Sequence, residues 1–119
     1  MSVMQVRSNI RDYDVVFNEG PDVQGFSKEL GEACYIVDAN VWELHKDGVL
    51  SSLPADAVVV MPFDETRKNL DTVREIYDRL MVRTAKRNLT LVSIGGGITQ
   101  DVTGFAASTL YRGVNWIFV

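Results

Sequence analysis

The residues best suited to chemistry are three consecutive glycines, residues 95–97, between an apolar run at residues 90–94 and a helical pattern at residues 98–111. Glycine lets a ligand approach the main chain closely. The first turn of a helix offers unpaired N–H groups and the positive end of the helix dipole. This arrangement is typical of a phosphate-binding loop, with Asp101 expected in the first helical turn. The triplet also suits a tight turn with close helix–sheet packing, and the glycines alone leave both interpretations open.

Two well-known phosphate-binding motifs are absent from this segment. Thr99 and Gln100 stand where the dinucleotide fingerprint G-x-G-x-x-G would need its third glycine. The lysine and hydroxyl residue that complete a P-loop do not follow the glycines either. Gly104, farther along the helical pattern, is predicted to let that helix pack closely on a sheet.

Other candidate residues have ordinary structural explanations beside the functional ones. Asp38 follows an apolar run, where it could bind a ribose or simply cap a helix. Glu65 and Lys68 are three residues apart near a predicted helix start, the spacing of a common surface pair. Arg112 could be a charge near a helix C-terminus. His45 is assigned no role, and the single cysteine, Cys34, is expected to be a buried apolar residue.

These residues require elements that alternate between strand and helix. Short Val- and Ile-rich runs are typical of strands buried on both faces of a parallel sheet, and they lie at residues 35–37, 57–61, 90–94 and 114–119. An alternating pair is predicted to form a hairpin, at residues 4–8 and 13–17. Helices are expected at residues 22–30, 69–87 and 98–111. The order predicts an α/β fold, Rossmann-like, with a mostly parallel sheet, flanking helices and a small preceding hairpin.

The predicted helices present apolar stripes. In the helix at residues 69–87 the stripe comprises Leu70, Val73, Ile76, Tyr77, Leu80 and Met81. In the helix at residues 98–111 the residues expected to face a core are Val102, Phe105, Ala106 and Leu110.

Composition narrows the class of protein. The 119 residues suit one domain, and 46% hydrophobic with 24% charged residues excludes a disordered chain. A net charge of −4 disfavours nucleic-acid binding. The longest apolar run, residues 57–61, is far too short for a membrane span. One cysteine excludes an internal disulfide. We expect a soluble, cytoplasmic protein.

The segment at residues 93–114, SIGGGITQDVTGFAASTLYRGV, closely resembles the signature of 3-dehydroquinate synthase and, more broadly, of the sugar-phosphate cyclases. Upstream, Asp38 and Asn40 resemble the family's Asp-x-Asn-Val, and Glu65 and Lys68 resemble its Gly-Glu-x-x-Lys. The resemblance covers residues 35–119 and implies that the whole chain, residues 1–119, is an N-terminal NAD-binding domain.

The resemblance implies a role for each matching residue. Cofactor contacts to NAD are implied for Asp38, Asn40, Glu65, Lys68, Gly96, Gly97, Ile98 and Asp101. Arg112 matches an arginine that reaches the phosphorylated substrate from the neighbouring subunit, which implies a homodimer with a shared active site. The family's zinc or cobalt ligands and most substrate contacts belong to a C-terminal domain that these residues do not match, so no metal ligand is expected here.

The implied activity of the whole enzyme is a phosphate-eliminating cyclisation of a sugar phosphate in the shikimate pathway, with NAD for transient oxidation of a ring hydroxyl. Gln100 and Asp64 depart from the pattern, since the family has glycine at both positions. They leave room for a cyclase acting on sedoheptulose 7-phosphate or glucose 6-phosphate. A metal-dependent alcohol dehydrogenase fits residues 105–113 less well, and a non-catalytic nucleotide-binding module is the alternative outside enzymes.

The chain stops within the apolar run at residues 116–119. Since domains rarely end on a buried strand with nothing after it, we expect the sequence to be part of a longer protein, and these residues alone to be inactive.

Overall fold

Six strands and three α-helices follow one another in the computed structural model, which describes residues 2–17, 32–82 and 88–119. In chain order they are β1 (Ser2–Val6), β2 (Tyr13–Phe17), β3 (Ala33–Asp38), α1 (Ala39–His45), β4 (Val58–Met61), α2 (Leu70–Val82), β5 (Thr90–Ile94), α3 (Gly97–Thr109) and β6 (Asn115–Phe118). The predicted helix at residues 22–30 and the end of the predicted helix at residues 69–87 lie outside the described residues. The α/β class predicted from the sequence is confirmed.

Strands β3 to β6 form one parallel sheet in the order β4-β3-β5-β6. Asp38 is in register with Met61, and Val37 is in register with Ile94, so β3, β4 and β5 end at the same edge. The chain leaves β3 toward β4 on one side and leaves β5 toward β6 on the other. The sheet therefore has a topological switch point between the carboxyl ends of β3 and β5, where α/β proteins bind their ligands.

Each face of the sheet has its own hydrophobic core, because side chains alternate along the strands. Cys34 and Ile36 of β3 face the core beneath α2 and α3, together with Val73, Ile76 and Ala106. The opposite core lies against α1 and the segment after it, and its buried residues are Tyr35, Val37, Leu50, Leu53, Val58, Val92 and Ile94. Strands β3, β4 and β5 are thus covered on both faces, as their apolar runs predict.

The helical stripes are confirmed in the middle and wrong at the margins. Val73, Ile76 and Leu80 of α2 are buried, whereas Leu70 and Met81 are 70% and 55% exposed. Both exposed residues lie within two residues of an end of the described helix, whose buried residues run from Thr72 to Leu80. In α3, Val102, Ala106 and Leu110 just after it are buried, but Phe105 is 48% exposed on the outer side.

Strand β6 corrects the expectation that the run at residues 114–119 is buried on both faces. Trp116, Phe118 and Val119 remain 43%, 38% and 44% exposed. Edge position alone does not explain this, since β4 also ends the sheet and is largely buried. Among the described residues, β6 contributes only the half-buried Ile117 to the two cores, so its other side chains lie outside them. An apolar run predicts a strand, but it does not predict whether other parts of the protein pack over that strand.

The hairpin of β1 and β2 is antiparallel, as predicted, with Val6 in register with Tyr13. It contacts the β6 end of the sheet: the rings of Tyr13 and Trp116 lie 6.2 Å apart, and Arg11 donates a hydrogen bond to Asn115. The predicted first strand at residues 4–8 instead spans Ser2–Val6. In the described parts of the chain, no helix is both long enough and apolar enough to span a membrane.

Candidate nucleotide site at the glycine loop

The glycine loop joins β5 to α3 at the switch point of the sheet. Ile94 ends β5, and α3 begins at Gly97 after only two intervening residues. The amide of Gln100 donates the first helical hydrogen bond to the carbonyl oxygen of Gly96, at 3.1 Å. The amides at the start of the helix therefore have no helical partner of their own. The loop thus has the strand–glycine–helix geometry of a phosphate cradle.

The three glycines have different surroundings. A Cβ atom on Gly95 would lie 2.7 Å from the hydroxyl oxygen of Thr99 and 3.0 Å from the Cβ of Asp38. A Cβ atom on Gly96 or Gly97 would meet nothing within 4 Å. Both interpretations of the triplet are therefore present: Gly95 permits close packing, while Gly96 and Gly97 keep the backbone open.

Asp101 lies just past the first helical turn, whereas the sequence predicts it within that turn. Because α3 begins at Gly97, Asp101 is its fifth residue, and its first turn contains no acidic side chain. A carboxylate at this distance gains little from the helix dipole, which acts mainly within the first turn. Asp101 is instead held by a basic partner.

That partner is Lys68, whose Nζ lies 2.9 Å from Oδ2 of Asp101. The hydrogen bond and charge of Asp101 raise the pKa of Lys68 above 10.5. The alternative pairing of Lys68 with Glu65 is not formed; Glu65 has only a weaker electrostatic effect. The contact joins the loop after β4 to α3, so two residues singled out by the sequence are brought together at the glycine loop.

Asp38 lies at the carboxyl end of β3, next to Gly95. It occupies the N-cap position of α1, yet its side chain makes no capping hydrogen bond. Its Oδ1 atom is buried and has no hydrogen-bond partner among the described residues. A buried carboxylate oxygen without a donor is costly, and a ligand hydroxyl is one group that could supply the donor. Asn40 is exposed in the first turn of α1.

Asp64, which stands where the family pattern has glycine, has a local structural role. Its carboxylate accepts hydrogen bonds from the backbone amide and the hydroxyl of Thr66, which lower its pKa below 3.8. The charge therefore caps the short 3-10 turn formed by Glu65–Arg67. Arg67 turns away to Glu75, with 2.6 Å between their charged atoms.

Ile98 directs its side chain into the core beneath α2 and α3. Its contribution to a ligand site is thereby restricted to its backbone, as is that of Gly96 and Gly97. Thr99 was missed by sequence reasoning: it is 1% exposed and fills the space beside Gly95. The signal available was its position four residues after Gly95, which places it in the first turn of the helix.

Arg112 lies at the other end of α3. Its backbone ends the short 3-10 segment Leu110–Arg112, just before β6 begins. The 13 residues of α3 separate this turn from the glycine loop, a length of about 20 Å at 1.5 Å per residue. The side chain of Arg112 is outside the described part of the structure, so its implied substrate contact stays a prediction.

The remaining candidates behave as ordinary structural residues. His45 ends α1 on the surface, and Cys34 is buried at the start of β3. Across the described ranges, no three His, Cys, Asp or Glu side chains form a group able to hold a metal ion.

A doubly wound α/β unit with a glycine loop at its switch point belongs to the nucleotide-binding class of folds. A family model described as 3-dehydroquinate synthase, N-terminal, matches residues 58–119. The chain therefore belongs to the 3-dehydroquinate synthase N-terminal family.

Individual relatives agree with this assignment. The 3-dehydroquinate synthase of Pelagibacter ubique is 35% identical over 122 aligned positions, which include 96% of this chain and 33% of that protein. The solved 2-deoxy-scyllo-inosose synthase complexed with carbaglucose-6-phosphate, NAD+ and Co2+ has a TM-score of 0.78 at 24% identity, covering 99% of this chain and 35% of that one. The chain spans about a third of the length of these relatives.

A third relative is also a cyclase solved with NAD+, and it covers less of this chain. The 2-epi-5-epi-valiolone synthase of Streptomyces hygroscopicus, solved with NAD+ and Zn2+, has a TM-score of 0.68 at 25% identity and covers 87% of this chain and 31% of that one.

The residues of this chain fit a dinucleotide on their own geometry. The open backbone at Gly96 and Gly97 gives a pyrophosphate room to reach the helix amides. The unpaired Oδ1 of Asp38 offers an acceptor close to the same loop. The described residues hold no comparable set of donors for a metal.

Proposed function

We propose that this chain is the NAD-binding part of a sugar-phosphate cyclase, and that residues 1–119 form one Rossmann-like domain. The observation that carries the proposal is the open glycine loop at the switch point, within a segment that belongs to this family. Gly96, Gly97 and the backbone of Ile98 would hold the pyrophosphate. Asp38 and Asn40 lie where a ribose would reach the end of β3.

The whole protein is proposed to be a 3-dehydroquinate synthase, a cytoplasmic lyase that eliminates phosphate and closes a carbocycle. When bound, NAD supplies a hydride acceptor for the ring carbon that carries a hydroxyl. This chain's share is to bind and orient the cofactor through the loop backbone and the side chains around it. The divalent metal and most substrate contacts would be supplied by the remaining two thirds of the protein.

The second candidate is a cyclase of the same superfamily that acts on another sugar phosphate, of the sedoheptulose 7-phosphate or glucose 6-phosphate type. The solved structures named above are synthases of 2-deoxy-scyllo-inosose and 2-epi-5-epi-valiolone. Their folds match this chain over most of its length, so the fold of this part is common to cyclases with different products. The choice among these substrates would therefore depend on the rest of the protein, where most of the substrate contacts would lie.

Arg112 is proposed to serve the active site of a second copy, in a homodimer. The support is its position at the edge of the sheet opposite the glycine loop, about 20 Å away along α3. At that distance it would lie far from a ligand phosphate held at the glycine loop of its own chain. A neighbouring subunit is the simpler recipient.

Calorimetric titration with NAD tests the proposal. We compare the unaltered chain with Gly97→Trp, whose indole would fill the open space over the loop. Gly48→Trp is the matched control, because it adds the same side chain to an exposed glycine in the segment after α1. We expect saturable binding to the unaltered chain and to Gly48→Trp, and binding lost in Gly97→Trp with the fold intact by circular dichroism.

Two results would contradict the proposal. Binding that survives in Gly97→Trp would place the ligand elsewhere. Absence of NAD binding, both to the folded chain and to the chain with the remaining two thirds of the protein attached, would remove NAD as the ligand.

A further inference from the structure

The ion pair between Lys68 and Asp101 lies beside the open part of the glycine loop. Gly97 and Asp101 are four residues apart in α3, so they share one face of the helix. Side chains on a helix lean toward its N-terminus, which carries the Asp101 carboxylate back toward Gly97. The ammonium of Lys68, 2.9 Å from that carboxylate, is therefore held within about one helical turn of the loop.

The charges at this edge of the sheet are mostly acidic. Among the described residues that follow β3, β4 and β5 or lie near the start of α3, the acids are Asp38, Asp64, Glu65 and Asp101 and the bases are Arg67 and Lys68. Glu75 holds Arg67, and Asp101 holds Lys68. No described base at this edge is left without an acidic partner, so a simple polyanion gains little from side-chain charge here.

A dinucleotide differs from a simple polyanion in carrying ribose hydroxyls. A carboxylate repels a phosphate but accepts a hydrogen bond from a hydroxyl. Asp38 offers an unpaired oxygen close to Gly95, and Asp101 is 58% exposed on the helix face that it shares with Gly97. The same acids that discourage free phosphates can therefore accept hydrogen bonds from a nucleotide.

We propose that Asp101 determines specificity at the glycine loop: by holding Lys68 in an ion pair, it weakens the binding of simple phosphates relative to a dinucleotide. The inference rests on the proposed function, since it concerns the same loop. It goes further in giving Asp101 a role toward ligands that the site must reject. Asp101 is in this respect a specificity-determining residue that acts through Lys68.

The test is calorimetry with two probes, inorganic pyrophosphate and NAD, at low and moderate salt. Asp101→Asn keeps the shape of the side chain, removes its charge and frees Lys68. We expect pyrophosphate to bind this variant roughly three- to tenfold more tightly, with a steeper salt dependence, as for an added unit of charge near a polyanion. The affinity for NAD should rise less, so that the preference for NAD over pyrophosphate falls at least severalfold.

Two further variants assign the effect. Asp47→Asn makes the same change in net charge in the exposed segment after α1, and should leave pyrophosphate binding unchanged. Adding Lys68→Met to Asp101→Asn should return pyrophosphate binding to a weak level, because the freed ammonium is then gone.

The outcomes separate this inference from the proposed function. Unchanged pyrophosphate affinity in Asp101→Asn, or an equal gain in Asp47→Asn, would overturn the inference even if NAD binds. If pyrophosphate binding tightens only in Asp101→Asn while NAD binds none of the proteins, the proposed function fails and the effect of Asp101 on simple phosphates is supported. If pyrophosphate binds detectably to none of these proteins, the inference is overturned.

Discussion

The first glycine of the loop and the next two have different surroundings, although they are adjacent and chemically identical. Gly95 faces inward, where Thr99 and Asp38 leave no room for a side chain. Gly96 and Gly97 face open space. A glycine can thus be required by the fold or be available to a ligand, and the two roles are divided here within three residues.

The difference follows from where the chain turns. Gly95 directly follows β5, so it is still between β3 and the first turn of α3. By Gly97 the helix has begun and the backbone has left the sheet. We therefore expect stability to depend on the first position and ligand access to depend on the other two.

The largest expected effect on stability is that of Gly95→Ala. The added Cβ would lie 2.7 Å and 3.0 Å from atoms of Thr99 and 3.0 Å from the Cβ of Asp38, so buried groups must move. We expect a loss of about 1–3 kcal/mol in the free energy of unfolding, the usual cost of overpacking. Urea denaturation followed by circular dichroism measures it.

Gly96→Ala is the matched control for that measurement. Its Cβ would meet nothing within 4 Å, so we expect a change within about 0.5 kcal/mol, as for other surface substitutions. Equal losses in the two variants would break the comparison, since both glycines would then be structural.

A smaller effect is expected at Thr103, on the buried side of α3. Thr103 is fully buried, and its hydroxyl has no hydrogen-bond partner among the described residues. Replacing an unpaired buried hydroxyl with a methyl group of similar shape is nearly neutral or stabilising. We expect Thr103→Val to change the free energy of unfolding by about 0 to +1 kcal/mol.

Thermal and urea denaturation of Thr103→Val check this expectation. Ser108→Ala is a suitable comparison, because the Ser108 hydroxyl is exposed and donates a hydrogen bond to the carbonyl oxygen of Phe105. A loss above about 1 kcal/mol in Thr103→Val would indicate that its hydroxyl has a partner in solution, such as an ordered water.

Much of this fold could be predicted from local patterns. Buried parallel strands are continuous apolar runs, and β3, β4 and β5 lie where such runs occur. The packing role of Gly104 was also predictable, and its Cβ would lie 3.1 Å from the ring of Phe118. The exposure of β6 was not, because it depends on which strands the two cores cover, and that arrangement is a property of the whole chain.

The candidate site likewise has a part that local sequence predicts and a part that it does not. The glycine loop is local, and its sequence predicts an open backbone before a helix. The pairing of Lys68 with Asp101 is not local: thirty-three positions separate the two residues, and the nearer acid, Glu65, is the partner that spacing favours. Only the parallel sheet, which brings the ends of β4 and β5 to one edge, makes the distant pairing possible.

The smallest expected effect concerns the ionisation of Lys68, and it sharpens the contrast between the fixed and open parts of the loop. Asp101 raises the pKa of Lys68 above 10.5 through a hydrogen bond and its charge. Because the folded-state pKa is raised, the pair's contribution to stability is complete below 10.5 and is lost as pH rises through the higher folded value. In Asp101→Asn the pKa of Lys68 should return toward 10.5, and the variant should lose less stability than the unaltered chain above that pH.

Lys46 provides the internal control for this titration by nuclear magnetic resonance of the lysine side chains. Glu43 raises its pKa in the same way, and that pair lies at the C-terminal end of α1 rather than at the glycine loop. Asp101→Asn should therefore shift the Lys68 titration and leave that of Lys46 unchanged. Equal shifts at both lysines would mean that the substitution acts through net charge, and an unshifted Lys68 would mean that the pair does not persist in solution. In either case Asp101 would not hold Lys68 beside the open glycines, and selection against simple phosphates could not act through that pair.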